Sequence, residues 1–178
     1  MRKVILGLTA SLDGYIEGPN REIDWIKFDD AAGEYLNNFA DEIDTILYGR
    51  VSYEQYKDYG MPDDDYSRKM RAMKKLVFSD TLEPAGDVEV VRSSQLIPTI
   101  TKLKLLPGKN IWLWGGAKLI TAFVNADLID EYHLAVQPVI LGAGNPLFRD
   151  ITRIVNLELV KADTWPTSGV VSLIYRKA

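Results

Sequence analysis

Two short segments of this chain place glycine and a basic residue where an apolar run ends and a helix is expected to begin. The first is LYGRVSYE at residues 47–54, which contains Gly49, Arg50 and Ser52. A glycine allows close approach to the backbone, the start of a helix offers unpaired N–H groups, and the arginine fork fits phosphate oxygens. The segment therefore predicts a phosphate-binding junction, although a tight turn with a solvated arginine has the same residues.

The second segment is WLWGGAKLI at residues 112–120, with Gly115 and Gly116 before the expected helix and Lys118 in its first turn. A cation at a helix N-terminus opposes the helix dipole, so this placement is unfavourable unless an anion is bound. Gly-Gly before a helix is also common in plain turns. The two segments together predict a ligand with several phosphates, such as a dinucleotide. No GxGxxG motif follows the first apolar run, so an ordinary Rossmann site is not predicted.

Alternating strand and helix patterns position these junctions. The expected strands are 4–10, 43–48, 75–79, 88–91, 110–114 and 129–141, and the expected helices are 28–40, 51–59, 66–73, a segment from Ser93 or Ser94 to before Pro107, and 117–125. A terminal hairpin of 155–161 with 170–176 follows. This order predicts one α/β domain over residues 1–178, with a mostly parallel sheet of about eight strands, helices on both faces and an antiparallel edge. Ligands of such sheets bind at the carboxyl ends of the strands, where both junctions lie.

The composition limits the class of protein. The chain has 178 residues, a net charge of −4 and no cysteine. These values favour a single domain, argue against nonspecific nucleic-acid binding, and exclude disulfides, thiol catalysis and thiolate metal sites; we expect no metal site. No run approaches ~18 apolar residues and the N-terminus has no cleavable signal pattern, so no membrane partner and a cytoplasmic location are expected.

Four segments in the same order resemble the dihydrofolate reductase-like superfamily. They are SLDGYIEGP (11–19), GRVSYE (49–54), WGGAKLITAFVNADLIDEYHL (114–134) and PVILGAGNPLF (138–148). The branch that the chain resembles is the RibD C-terminal domain, the reductase domain of the bifunctional riboflavin-biosynthesis protein, here as a stand-alone chain. The resemblance implies a three-layer dihydrofolate reductase-like fold, NADPH as hydride donor and a homodimer. It also implies reduction of a pyrimidine- or pteridine-like heterocycle, of the 5-amino-6-(5-phosphoribosylamino)uracil reductase type.

The resemblance further implies a set of cofactor-binding residues. They are Thr9, Ala10 and Ile16 for the nicotinamide; Gly49, Arg50 and Ser52 for the phosphates of the adenosine half; Ser79 for the adenosine 2′-phosphate; and Gly115, Gly116, Ala117 and Lys118 for the pyrophosphate. The Gly115–Gly116 peptide bond is expected to be cis, as is typical of the family.

The substrate half departs from the family pattern. Riboflavin-pathway reductases carry a basic pattern on the helix before the second strand, where this chain has Asn37, Asn38 and Ala40. A substrate phosphate would have no partner there. Three alternatives therefore stay open: a dihydrofolate reductase-like enzyme acting on a pterin, a non-catalytic NADPH-binding dimer, and another phosphosugar or nucleotide enzyme that uses the same junctions.

Two carboxylates are candidates for catalysis. Asp13 is a candidate acid near the nicotinamide, although Asp-Gly is also a common turn. Glu34 lies within about one helical turn of the acidic position of dihydrofolate reductases and is a candidate to polarise a ring nitrogen, although solvated helix carboxylates are common. His133 is the only histidine and lies mid-strand, so we interpret it as structural, because a catalytic group must reach the substrate.

Overall fold

A computed structural model describes residues 1–58, 62–84, 86 and 88–178. The strands of these residues are β1 (Val4–Ser11), β2 (Tyr15–Glu17), β3 (Ile43–Gly49), β4 (Lys74–Phe78), β5 (Val88–Val91), β6 (Asn110–Gly115), β7 (Glu131–Gln137), β8 (Asn145–Pro146), β9 (Leu157–Trp165) and β10 (Val170–Lys177). Their α-helices are α1 (Asp30–Asp41), α2 (Arg50–Asp58), α3 (Asp65–Ala72), α4 (Leu96–Leu105) and α5 (Ala117–Asn125).

Eight of these strands form one sheet in the order β5-β4-β3-β6-β1-β7-β10-β9. The neighbours from β5 to β7 are parallel, whereas β10 runs antiparallel to both β7 and β9. The predicted fold class is therefore confirmed: a mostly parallel α/β sheet with an antiparallel C-terminal hairpin. Because β3 and β6 are neighbours, the two strand-to-helix junctions lie side by side.

Helices cover both faces of the sheet, as the alternating pattern predicts. Ile5 and Leu6 are consecutive and both buried, because successive strand residues point to opposite faces. Leu6 belongs to the core beneath α4 and α5, and Ile5 to the core beneath α1, α2 and α3. Burial on both faces explains why the central strands are continuous apolar runs.

Several predicted boundaries are wrong for local reasons. Helix α1 begins at Asp30 rather than at residue 28, because Asp29 is extended and its carboxylate accepts the N–H of Ala32 at 2.9 Å. The segment from Ser93 to Gln95 is a 3-10 turn without a side-chain cap, so neither Ser93 nor Ser94 caps α4. Strand β7 ends at Gln137, before a proline that has no N–H to continue the ladder.

The small antiparallel sheet of β2 and β8 was not predicted. It joins the chain after β1 to the loop after β7. The predicted helix 51–59 is observed as α2, and residue 59 lies outside the described residues. Among the helices that the structure describes, none has the length and apolarity needed to cross a membrane.

Candidate functional site

A cavity of about 400 Å³ lies between α1 and the strands β1, β6 and β7. Its volume falls in the range of pockets that hold small organic ligands. The wall beneath α1 is mostly aromatic or aliphatic, and its members include Tyr35, Leu36, Phe39, Trp112, Trp114 and Trp165. Ser52 and Gly116 also line the cavity, so it reaches both strand-to-helix junctions.

The two junctions contact each other at their glycines. A Cβ added to Gly49 would lie 3.4 Å from the backbone nitrogen of Gly116, and one added to Gly116 would lie 3.0 Å from the Ser52 hydroxyl oxygen. Any side chain at either position would fill the space between the junctions. The glycines therefore leave a backbone-lined cradle beside the cavity, which fits a ligand that must approach the main chain closely.

The N-terminus of α5 opens onto this cradle without a side-chain cap. Gly116 is the N-cap residue, and its carbonyl accepts the N–H groups of Leu119 and Ile120 at 2.9 and 3.0 Å. The N–H groups of Ala117 and Lys118 precede the first intrahelical bonds and are oriented along the helix dipole, which favours an anion. The Gly115–Gly116 peptide bond is cis, as expected from the resemblance.

Arg50 and Ser79 belong to one polar group at the carboxyl ends of β3 and β4. Arg50 donates to Glu54 Oε1 at 2.7 Å and to the Thr81 hydroxyl at 2.8 Å. The Ser79 hydroxyl accepts the N–H groups of Thr81 and Leu82 at 3.2 and 2.9 Å. The carboxylate of Glu54 offsets part of the unfavourable charge that the sequence places at the start of α2. The guanidinium remains half exposed and available to a ligand.

The floor of the cavity at β1 and β7 is held by a buried glutamine. Gln137 donates to the Thr9 hydroxyl at 3.1 Å and accepts the N–H of Lys27 at 3.1 Å, while Thr9 donates to the carbonyl of Ala135 at 2.8 Å. These bonds tie the loop before α1 to the two strands. Thr9 and Ile16 line the cavity; Ala10 is buried beside them and is not part of the lining.

Neither predicted catalytic carboxylate lines the cavity. Asp13 accepts the Ser11 hydroxyl at 2.7 Å and the N–H groups of Leu141 and Gly142 at 3.1 and 2.8 Å. The hydrogen bond from Ser11 holds the pKa of Asp13 below its ordinary value, which is unfavourable for a proton donor. Glu34 is exposed on α1. In this structure Asp13 holds the loop after β7 in place, and Glu34 is a solvated carboxylate.

The structure brings together two polar side chains that sequence analysis did not pair. Tyr35 and His133 both line the cavity, and the Tyr35 hydroxyl lies 2.8 Å from His133 Nδ1. His133 is mid-strand as predicted, but its ring contributes to the cavity wall as well as to packing. The two residues are 98 positions apart, so no local motif links them. The sequence held one indication of Tyr35: it is the one residue with a polar group among the otherwise apolar residues on the cavity face of α1, Ala32, Tyr35, Leu36 and Phe39.

Comparison with protein families and curated proteins agrees with the fold. The family model of the RibD C-terminal domain matches residues 2–171. Uncharacterized protein YyaP of Bacillus subtilis (strain 168) is 41% identical, over 98% of this chain and 94% of that protein. Uncharacterized protein YwjB of the same strain is 36% identical, over 89% of each.

Solved structures with low identity share the fold. A putative riboflavin biosynthesis protein from Shewanella sp. PV-4 superposes with a TM-score of 0.83 at 22% identity, over 100% of this chain and 99% of that one. The deaminase/5-amino-6-(5-phosphoribosylamino)uracil reductase of Thermotoga maritima gives 0.72 at 16% identity, over 99% of this chain and 57% of that one. Dihydrofolate reductase from Enterococcus faecalis, complexed with NADP(H), gives 0.67 at 14% identity, over 98% and 96%.

Proposed function

Because the chain belongs to the RibD C-terminal domain family, we propose that it is an NADPH-dependent reductase of a small pyrimidine- or pteridine-like heterocycle. One observation carries the proposal: the uncapped N-terminus of α5 and the Gly49–Ser52 junction open into the same largely apolar cavity. Anion-binding backbone beside a flat apolar space suits a phosphorylated cofactor with a planar reactive ring.

We assign the cofactor to the residues that the family resemblance implies. The N–H groups of Ala117 and Lys118 would bind the pyrophosphate, in the cradle that Gly49, Gly115 and Gly116 leave open and beside the Ser52 hydroxyl. Arg50 and Ser79 would bind the 2′-phosphate, which distinguishes NADPH from NADH. Thr9, Ala10 and Ile16 would border the nicotinamide, which supplies a hydride when bound. The role of these residues is to position the two rings.

The substrate half of the cavity favours a heterocycle without a phosphate. Among the lining residues that the structure describes, Lys27 is the only lysine or arginine, and the α1 side of the wall consists of Ala32, Tyr35, Leu36 and Phe39. A phosphate placed beneath α1 would be desolvated among these mostly apolar side chains, with exposed Lys27 as its one cationic partner among the described lining residues, which is unfavourable. We therefore propose an uncharged pterin or aminopyrimidine rather than a phosphoribosyl derivative.

Calorimetric titration with NADPH and with NADH tests cofactor binding, with Lys118→Ala as the site variant. Lys102→Ala is the matched control, since Lys102 is an exposed lysine of α4. We expect tighter binding of NADPH than NADH and a weaker complex for Lys118→Ala only. Loss of absorbance of the reduced nicotinamide, with a panel of pterins and aminopyrimidines with and without a ribosyl phosphate, then identifies the acceptor. No heat with either cofactor would refute the proposal.

We further propose that the chain forms a homodimer, as the family resemblance implies. The edge strand β9 exposes apolar side chains, with Leu159 57% and Val160 54% accessible. Exposed apolar side chains on an edge strand favour pairing with another chain. Light scattering coupled to size-exclusion chromatography measures the mass directly, and a mass of one chain at micromolar concentration contradicts this assignment.

A further inference from the structure

A row of hydrogen-bonded side chains connects the cavity with the surface at the start of β7. The Tyr35 hydroxyl lies 2.8 Å from His133 Nδ1, and His133 Nε2 lies 3.2 Å from Glu131 Oε2. Lys3 donates to the other oxygen of Glu131 at 2.6 Å. The exposed fraction of the side chains rises along the row, from 10% for His133 to 19% for Glu131 and 54% for Lys3.

Aromatic packing fixes the orientation of the first two members. The ring of Tyr35 is stacked on Phe39 at a centroid distance of 6.0 Å and contacts Trp165 at 5.8 Å. The His133 ring lies 5.5 Å from that of Phe39. In the sheet, His133 is paired with Gly7 of β1, so no side chain of that neighbour competes for the space. A tyrosine and a histidine held in this way keep their hydrogen bond without much conformational freedom.

The protonation of His133 decides which way the Tyr35 hydroxyl points. Burial lowers the pKa of His133, so its neutral form prevails near neutral pH. Burial raises the pKa of Glu131, but the hydrogen bonds from Lys3 and His133 outweigh this and hold it below its ordinary value. Next to this carboxylate, neutral His133 carries its proton on Nε2 and its Nδ1 accepts the Tyr35 O–H. Two further charged groups act on the imidazole: Glu42 favours its protonated form, and Lys3 opposes it.

Protonated His133 reverses the first hydrogen bond. Both of its nitrogens then donate, Nδ1 to the Tyr35 oxygen and Nε2 to Glu131. The Tyr35 O–H is thereby released from the histidine and can donate to a ligand in the cavity. The pair therefore presents an acceptor to the cavity when His133 is neutral and a donor when it is charged.

Building on the proposed reductase function, we propose that Tyr35 is the catalytic proton donor of this cavity, with His133 as the source of its replacement proton and Glu131 as a positioning residue. A bound nicotinamide would supply a hydride to the carbon of a ring C=N bond, which would leave the electron pair of the broken π bond on nitrogen. The Tyr35 O–H bond breaks as the new N–H bond forms, and the Nδ1 proton of His133 moves to the phenolate oxygen. Neutral His133 remains, and solvent restores its proton before the next turnover.

Nitrogen-15 NMR of the imidazole tests this arrangement without cofactor or substrate, because the chain has a single histidine. We expect the Nε2–H tautomer in the neutral form. In Tyr35→Phe the resonance of the unprotonated nitrogen should move downfield, because it loses its hydrogen-bond donor, and in Glu131→Gln the pKa of His133 should fall. Tyr175→Phe is the matched control, since Tyr175 packs in the opposite core. An Nδ1–H tautomer, or an unchanged spectrum in Tyr35→Phe, overturns the arrangement.

The catalytic part of the proposal is tested with whichever panel compound is reduced. Tyr35→Phe should lower kcat by about 100-fold or more with little change in KM, within the usual range for general acids. Wild-type kcat should fall as pH rises through the His133 pKa found by NMR, and Tyr35→Phe should lose this dependence. Wild-type turnover in Tyr35→Phe overturns the proton-donor role alone. If no compound is reduced, the reductase function fails and this role falls with it, whereas the NMR result still decides how His133 is bonded.

Discussion

Two regions of the candidate site differ in composition. The junctions of β3 with α2 and of β6 with α5 consist of glycine backbone and exposed cations, whereas the cavity beneath α1 is lined mainly by aromatic rings. Arg50 is 47% exposed and Lys118 is exposed, while Phe39 and Trp112 are 6% and 4% exposed. The proposed cofactor half thus lies at the carboxyl edge of the sheet. The proposed substrate half is continuous with the hydrophobic core beneath α1, α2 and α3.

This difference affects what each half can tolerate. The exposed side chains of the junctions, Arg50 and Lys118, contribute little to folding, so their substitution should change binding and leave stability almost unchanged. Residues beneath α1 pack in the core and also line the proposed substrate site. Substitutions that change substrate recognition there should therefore also lower stability. Under the proposed function, substrate specificity would therefore be tied to the core, and cofactor specificity would not.

The largest effect is expected for Phe39→Ala, which tests whether the substrate wall is core. Phe39 contacts Trp112 edge-to-face at 4.9 Å and stacks on Tyr35 at 6.0 Å. Its truncation should lower the free energy of unfolding by ~3–5 kcal/mol, measured by urea denaturation. Phe28→Ala is the matched control, because Phe28 also lines the cavity but is 67% exposed. Equal losses for the two variants would show that the wall beneath α1 is not part of the core.

The same difference explains how much the sequence predicted. Strand 88–91 and helix 117–125 were predicted to the residue, and the glycine junctions were placed correctly between strand and helix, because each depends on neighbours in the chain. The contact between Tyr35 and His133 depends on the pairing of β7 with β1 and on the packing of α1 across it. The three-residue strand β2 pairs only with two-residue β8 and carries no periodicity of its own. The partner in a nonlocal contact of this kind has no signal in the neighbouring sequence.

A second expectation concerns Arg50→Ala in the cofactor half. A charge-assisted hydrogen bond contributes ~1.5–3 kcal/mol, so NADPH affinity should fall roughly ten- to a hundredfold by calorimetry. NADH lacks the 2′-phosphate and should lose little, and the free energy of unfolding should stay within about 0.5 kcal/mol of wild type. Arg68→Ala is the control, since Arg68 is an exposed arginine of α3 paired only with acidic residues of its own segment among the described contacts. Equal losses for the two cofactors would remove Arg50 from the 2′-phosphate site.

A pair of glycine substitutions compares the two halves with one chemical change. Gly115 has φ +125, a region that side chains rarely adopt, so Gly115→Ala should destabilise by ~1–2 kcal/mol. Gly33 lies in α1 with no atom within 4 Å of an added Cβ, so Gly33→Ala should stabilise by ~0.5–1 kcal/mol through helix propensity. Thermal unfolding measures both. A loss in Gly33→Ala would mean that the exposed face of α1 is more constrained than its packing shows.

The smallest effect is expected for Glu54→Gln, which should strengthen NADPH binding rather than weaken it. Glu54 holds the Arg50 guanidinium at 2.7 Å, and both side chains are 47% exposed. An exposed pair of this kind contributes ~0.2–1 kcal/mol, so stability should change little. In the wild type, Arg50 must give up its ion pair with Glu54 to bind the phosphate of the cofactor. Glu54→Gln removes this competing anion, so NADPH affinity should rise a few-fold at low salt. The gain should shrink as salt screens the exposed charges, and NADH affinity should not change. Calorimetry at two ionic strengths measures this, and weaker NADPH binding in Glu54→Gln would instead show that Glu54 orients Arg50 for the phosphate.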